Sequence, residues 1–197
     1  VEVIQKKGSN KHTFLFKDDV INFAYKDKNG SGDVDLYYAD IPKKSSIRIE
    51  QNDWLKNVGC LWLILGVFQA GFAVYEGYFT IAKATWVFLG AMCLAWFYFT
   101  KIKYTVFQAE KGSLFIIQTE SHDKIIEEIM TRKNKQLLAW YGNIDFDNEP
   151  EREKSKFKWL CDQGVITNEV LEMKIAQIEL YRLTDSTGST DSARVLN

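Results

Sequence analysis

Two apolar stretches in the middle of the chain constrain its fold more than any other feature. Val58 to Tyr75 is 18 residues long, Ala84 to Thr100 is 17, and neither carries a formal charge. A bilayer core about 30 Å thick needs roughly 20 helical residues, with about 17 as the lower limit. Both stretches reach that range with one or two interfacial residues added at each end. Trp54 and Trp62 lie near the start of the first, and Trp86, Trp96 and Tyr98 lie towards the ends of the second. That distribution is expected of an aromatic belt. A buried helical hairpin in a soluble core is the competing arrangement. The concentration of aromatic residues and the lack of a polar face on either stretch argue against it. The expectation is a two-span membrane protein.

Whole-chain composition conceals this. The 197 residues carry a net charge of −1 and are 26% charged, as in an ordinary soluble domain. The charges fall almost entirely outside residues 57–100. About 150 residues then remain for aqueous parts, enough for one modest core and a small appendage. The near-neutral balance argues against a nucleic-acid partner, because phosphate neutralisation needs clustered Lys and Arg. Cys60, Cys93 and Cys161 form no CxxC pair, and two of them lie within the expected spans as small packing residues. The two histidines, His12 and His122, are far apart in sequence, so no His/Cys metal site and no cofactor is expected.

Topology follows from the flanks. Lys43, Lys44, Arg48 and Lys56 precede the first span, and Lys101, Lys103 and Lys111 follow the second. The connection from Glu76 to Lys83 carries one residue of each sign. Positive charge prefers the cytoplasmic side, so both termini are expected inside. The polar run Gln5 to Lys11 is unlike the apolar segment of a signal peptide, and none is expected there.

Before the spans the pattern is β. His12–Phe16, Val20–Tyr25, Val34–Ile41 and Ser46–Glu50 are expected strands, with a turn at Asn29-Gly30-Ser31-Gly32. No GK[ST] follows those glycines, which argues against a phosphate loop. After the spans, Lys103–Ala109 and Ser113–Thr119 form a hairpin around Glu110-Lys111-Gly112. A helix follows from Ser121 to Tyr141, capped by Ser121 or Asp123. Ile125, Ile126, Ile129, Met130, Leu137 and Leu138 fall mostly on one face. Lys124, Glu127, Glu128, Arg132 and Lys133 fall mostly on the other.

Neither β segment is large enough to bury a core alone. Residues 1–56 and 101–141 are therefore expected to fold as one domain, with residues 57–100 inserted. At least six strands followed by one amphipathic helix is the order of a bacterial pleckstrin-homology-like domain. The resemblance is carried by Val34-Asp35-Leu36-Tyr37-Tyr38-Ala39-Asp40-Ile41. It continues in Tyr104-Thr105-Val106, Phe115-Ile116-Ile117 and His122-Asp123-Lys124-Ile125-Ile126-Glu127-Glu128-Ile129. It implies a curved sheet closed at one end by its helix. Phosphoinositide binding in such folds uses a basic loop near the first strands. Here Lys17-Asp18-Asp19 is acidic on balance and Lys26-Asp27-Lys28 is mixed, so head-group recognition of that kind is not expected.

Pro150 suits the first turn of a new helix from Glu151 to Gln163. Gly164 suits a left-handed C-cap, and Thr167 can cap a second helix from Asn168 to about Arg182. Leu160-Cys161-Asp162-Gln163-Gly164-Val165-Ile166-Thr167-Asn168-Glu169-Val170-Leu171-Glu172-Met173-Lys174 resembles the short C-terminal helical hairpin called SHOCT. Val170-Leu171 departs from it where that family has an aromatic residue. The resemblance implies oligomerisation or interaction over residues 150–182. The polar, Ser/Thr-rich residues 183–197 are expected to be a flexible tail unless a neighbour holds them.

No HExxH, GxSxG, Walker A or dinucleotide fingerprint is present. The pairs Asp18-Asp19 and Glu127-Glu128 are read as solvated surface, and Glu76 and Lys83 as interfacial anchors. Gln69 lies inside the first span, and Gly66, Gln69 and Ala73 are expected on one helix face. Gly66 with Ala70, and Ala91 with Ala95, make small-xxx-small pairs, packing the hairpin on itself or on a neighbouring subunit. Trp159, Leu160, Ile166, Leu171, Ile175 and Ile178 supply the apolar surface of the C-terminal segment. They are expected to pack on the same segment of a second subunit, with packing on the chain's own β domain as the alternative.

The expected fold class is an α+β membrane protein with a pleckstrin-homology-like β domain, an inserted two-helix transmembrane hairpin and a small C-terminal helical hairpin. The expected function is a non-enzymatic scaffold or interaction protein of a bacterial inner membrane. Its expected partners are membrane lipid and further copies of itself. A membrane-perturbing or pore-forming protein, or a regulatory subunit of a membrane complex, is the alternative.

Overall fold

A computed structural model describes residues 1–78 and 80–192, with side chains to Thr184 at the C-terminal end. Its described part is α+β, with seven strands and five α-helices. Strands β1 (Glu2–Lys7), β2 (Asn10–Phe16), β3 (Val20–Lys26) and β4 (Ser31–Tyr37) form one antiparallel meander. Strands β5 (Ser46–Glu50), β6 (Ile102–Ala109) and β7 (Gly112–Ile117) form a second antiparallel sheet. Helix α3 (His122–Tyr141) follows β7.

One core joins the two halves of the chain. Phe14, Ile21, Phe23 and Leu36 from the first sheet meet Phe107, Leu114 and Ile116 from the second, and Ile125 and Ile129 of α3 complete the cluster. All nine are at most 2% exposed. The side chain of Gln5, 2% exposed, ties β1 to β7. Its Nε2 donates to the Ile117 carbonyl at 2.9 Å, and its Oε1 accepts from the Ile117 N–H at 2.9 Å. A side-chain amide thus acts as a backbone neighbour where the sheets approach.

Strand β1 departs from expectation, because residues 5–11 read as a polar run. It pairs with β2 from Glu2↔Leu15 to Lys7↔Asn10, and Gly8 supplies the positive φ of the turn (61°). Strand β4 ends at Tyr37, earlier than Ile41. Tyr38 turns into the core in a 3-10 turn (Tyr38–Asp40), and its hydroxyl donates to the Lys17 carbonyl at 2.9 Å. On α3, Leu138 is exposed and Lys133 is buried, opposite to their expected faces. The Lys133 ammonium donates to the Ile41 carbonyl at 2.7 Å, and burial pushes its pKa down. Ser121 stands at the N-cap position of α3 without a side-chain cap hydrogen bond.

The helical hairpin leaves and re-enters the fold between paired strands. Glu50, the last residue of β5, lies opposite Ile102, the first of β6. Helices α1 (Asp53–Tyr75) and α2 (Thr85–Thr100) therefore occupy the place of a strand-to-strand turn. Both are long and apolar enough to cross a membrane when α2 is taken with its preceding 3-10 turn (Ile81–Ala84). At 1.5 Å per residue α1 is about 35 Å long.

Three buried glycines, Gly59, Gly66 and Gly90, let the helices touch. A Cβ on Gly66 would lie 2.5 Å from the Val87 nitrogen, and one on Gly90 would lie 2.7 Å from the Leu63 nitrogen. Ala73 is also buried and Ala70 half-buried, but Gln69 is exposed, so it does not share the inner face of Gly66 and Ala73. Ala91 and Ala95 are exposed as well, because Gly90 holds the inner position on α2. The Trp62 and Trp86 rings lie 5.5 Å apart. They sit at one depth and cannot mark opposite ends of a span, which corrects that part of the aromatic belt.

Helices α4 (Pro150–Asp162) and α5 (Asn168–Ser192) form the C-terminal hairpin, with Gly164 at φ 78° between them. Leu137 of α3 packs with Phe157, Leu160 and Ile178, and Ala39, Ile166 and Leu171 press on that cluster. Leu160 and Ile178, expected to pack on a second subunit, are instead buried within the chain's own fold, with Ile166 and Leu171 packed against them. The carbonyl end of α4 receives Lys43, whose Nζ donates to the Asp162 carbonyl at 3.0 Å. A cation there also complements the helix dipole. Helix α5 runs past Arg182 to Ser192, so the described part of the expected flexible tail is helical. Residues 193–197 lie outside the described residues.

Gly66→Ala should lower the stability of the hairpin by about 1–3 kcal/mol through overpacking. Gly71→Ala should be nearly silent, because no atom lies within 4 Å of its added Cβ. Thermal unfolding in detergent compares them. Replacing residues 53–100 by a short polar linker should leave a cooperatively unfolding domain. Cooperative folding of either half alone would contradict the shared core.

A candidate binding cleft at the base of the helical hairpin

The inner face of β2 is set by alternation. Asn10, His12, Phe14 and Phe16 point inwards, and all are buried. The last two fill the core. The first two place polar groups on the same face, at the end of the sheets where β5 leads into α1.

A cleft of about 500 Å³ opens there, walled by His12, Tyr25, Asp27, Glu50, Tyr104 and Phe115, with Arg48 and Asp53 also on its lining. A second cavity of about 500 Å³ shares Glu50, Gln51 and Asp53 with it and reaches Trp96 and Phe99 of α2. The two cavities flank the junction between β5 and α1.

A hydrogen-bond network shapes the cleft. The Tyr104 hydroxyl donates to Glu50 Oε2 at 2.6 Å. Asn10 Nδ2 donates to the same carboxylate oxygen at 3.0 Å and to the Tyr104 oxygen. Burial and the adjoining Glu50 carboxylate push the Tyr104 pKa well above the ordinary phenol value, so its hydroxyl stays a donor. His12 is 4% exposed. Its ring stacks on Tyr104 with centroids 5.7 Å apart and meets Phe23 edge-on at 5.3 Å. His12 Nδ1 lies 2.8 Å from the Phe115 carbonyl, so this nitrogen carries the proton and donates. Burial lowers the imidazole pKa from 6.5, opposed by that hydrogen bond and by Asp27 and Glu50. The neutral ring therefore presents Nε2 as an acceptor, and Nε2 has no protein partner among the described residues.

The carboxylates are only half used. Asp27 Oδ1 accepts from the Asn29 and Gly30 N–H groups, and Asp53 Oδ1 accepts from Gln51 Nε2 at 3.0 Å. Glu50 uses Oε2 alone. Among the described residues none of the three is in an ion pair. No group of three or more His, Cys, Asp or Glu among those residues is arranged to hold a metal ion. The chemistry on offer is acceptance of hydrogen bonds from a cation, beside aromatic faces.

The sequence-derived packing residues lie elsewhere. Gly66 and Ala73 are inside the helical hairpin, with Ala70 at its margin; Gln69, Ala91 and Ala95 are on its outer surface. Leu160, Ile166, Leu171 and Ile178 come together under α3. Ile175 is half-buried, and Trp159 is 43% exposed, edge-on to Tyr141 at 5.8 Å. The cleft residues went unnoticed in sequence. The signal that was present is the period of two: extended back from Phe16 and Phe14, it puts His12 and Asn10 on an apolar face.

No protein-family model matches the chain, and no curated protein or solved structure gives a match.

The buried histidine predicts a pH dependence. Its folded pKa lies below 6.5, so the unfolded chain binds the proton more readily. The stability it contributes is complete above 6.5 and is lost as the pH falls from there towards the lowered folded value. Urea unfolding of the detergent-solubilised chain should show this decline, and His12→Gln should flatten it. An unchanged slope in that variant would assign the effect to other groups.

Proposed function

We propose that the chain is a non-enzymatic interaction protein of a bacterial inner membrane, with its β domain and both termini on the cytoplasmic side. One observation carries this. A helical pair whose outer surface is almost wholly apolar stands in the turn between two paired strands of an otherwise packed domain. Leu61, Ile64, Leu65, Phe68, Phe72, Phe88 and Met92 are each more than half exposed. Leaving so much apolar surface in water is unfavourable by roughly 25 cal/mol per Å², and a lipid phase removes that cost. The lysines and arginine flanking the spans favour the cytoplasmic side for the domain.

The pleckstrin-homology-like assignment draws support from the four-stranded and three-stranded antiparallel sheets followed by helix α3. The SHOCT-like assignment draws support from two helices meeting at Gly164. The protein self-associates through its spans in this proposal, because Gln69, Ala91 and Ala95 are exposed on the hairpin. A polar amide in lipid gains by meeting a partner across a helix interface, by about 1 kcal/mol.

The expected result is a chain that stays with membranes through alkaline carbonate washing. A cysteine placed at Thr80 should react only from outside the cell, and one at Ser155 only after lysis. Recovery in the soluble fraction without detergent would reject membrane residence. Gln69→Leu combined with Ala91→Leu and Ala95→Leu should reduce the mass measured by light scattering in detergent, with insertion intact. A strictly monomeric wild type would reject self-association alone.

A further inference from the structure

We propose that the cleft at the β5–α1 junction binds the primary ammonium of an aminophospholipid head group, with the neighbouring phosphate turned to Arg48. The site rests on the membrane reading given above for its lipid source, but its ammonium chemistry stands on the cleft alone.

Three features select an ammonium group. Asp27, Glu50 and Asp53 each keep one carboxylate oxygen without a protein partner among the described residues. His12, buried and with Nδ1 committed to the Phe115 carbonyl, lines the same cleft and offers Nε2 only as an acceptor. Tyr25, Tyr104 and Phe115 supply aromatic walls that attract a cation. A primary ammonium has three N–H donors for such acceptors. A quaternary ammonium has none, and would leave Nε2, which opens to the cleft, without a donor.

Two further features select a head group over a free amine. Among the described residues, Arg48 is the one permanent cation on the lining of this cleft, and it lies on β5 next to the acidic residues. Guanidinium groups suit phosphate. An ammonium joined to a phosphate by two carbons matches such an arrangement of opposite charges. The cleft also adjoins the cavity that reaches Trp96 and Phe99 on α2, with Asp53 opening α1. In a membrane, that position is the head-group layer.

The test titrates the full-length protein in detergent with short-chain phosphatidylethanolamine, short-chain phosphatidylcholine, free phosphoethanolamine, ethanolamine and a lysine-rich peptide, using calorimetry. Saturable one-to-one binding of phosphatidylethanolamine is expected, with phosphatidylcholine at least about tenfold weaker, since charged hydrogen bonds of this kind are lost. Asp27→Asn with Asp53→Asn should weaken phosphatidylethanolamine about tenfold. The amide oxygen introduced at position 27 can still accept the turn N–H groups, and melting curves check that the variants fold. Arg48→Gln should weaken phosphatidylethanolamine while leaving the weaker binding of ethanolamine itself unchanged. Equal binding of phosphatidylcholine, or none of phosphatidylethanolamine by a folded protein, would overturn the proposal. Phosphoethanolamine binding as tightly as the lipid would overturn the lipid source. So would preferential binding of a lysine-rich peptide, which would make the cleft a protein-docking site. Carbonate washing of the membranes from which the protein is extracted separates these failures from failure of the membrane reading.

Discussion

The pairing of Glu50 with Ile102 is the constraint on which the rest of the structure depends. An antiparallel pair holds its two chains about 5 Å apart. Everything between these residues must therefore leave and return through one narrow gate, and a tightly packed helical hairpin meets that condition. Packed helices normally sit about 8–10 Å apart, so the diverging chains have little room to spread. Gly59, Gly66 and Gly90 keep the helices close above the gate. Below it, β6 pairs in turn with β7, and Phe107, Leu114 and Ile116 of these two strands meet the first sheet.

Buried polar groups also join the layers. Gln5 links β1 to β7, and Gln136 accepts from the Ala39 N–H at 2.8 Å and donates to the Asp19 carbonyl at 2.8 Å. Lys133 holds the Ile41 carbonyl. Glu153, 2% exposed, accepts from the Asp145 N–H at 3.1 Å and pairs with Lys156, which fixes the loop between α3 and α4. Burial opposes the charge on Glu153, yet these hydrogen bonds hold its pKa below the ordinary value. A lost partner would strand a buried polar group, at about 1–3 kcal/mol each. These contacts fix which segments meet, while the apolar core supplies most of the free energy of meeting.

Much of the architecture was legible because it is periodic. Strand alternation located β2, β3, β5, β6 and β7, helical spacing located α3, and the uncharged stretches located α1 and α2. Gly164, Pro150 and Thr167 marked the C-terminal hairpin because their backbone preferences are local. Three of the failures have one common cause. β1, Lys133 and the cleft all depend on polar residues that are buried only because a distant segment satisfies them. Gln5 looks like surface until Ile117 arrives from far along the chain. The inner face of such a helix is equally hidden when every residue is apolar: nothing in the sequence distinguished Gly90 from Ala91 as the inner residue of α2. The docking of Phe157, Leu160 and Ile178 beneath α3 was open for the same reason, since an apolar stripe does not say which surface covers it.

The arrangement at the gate also links the domain to the hairpin mechanically. Glu50 is simultaneously the last residue of β5, the acceptor for Tyr104 and Asn10, and a wall of both cavities. Any rotation of α1 that pulls on residues 51 and 52 is transmitted to this carboxylate. The carboxylate is bonded to Tyr104 of β6 and Asn10 of β2, and Tyr104 stacks on His12. Those strands belong to different sheets, so the network spans both. Charge-assisted hydrogen bonds are short and directional, and they resist such a rotation more than apolar contacts would. The base of the hairpin is therefore held by polar geometry, whereas its upper part is held by close apolar packing at the glycines.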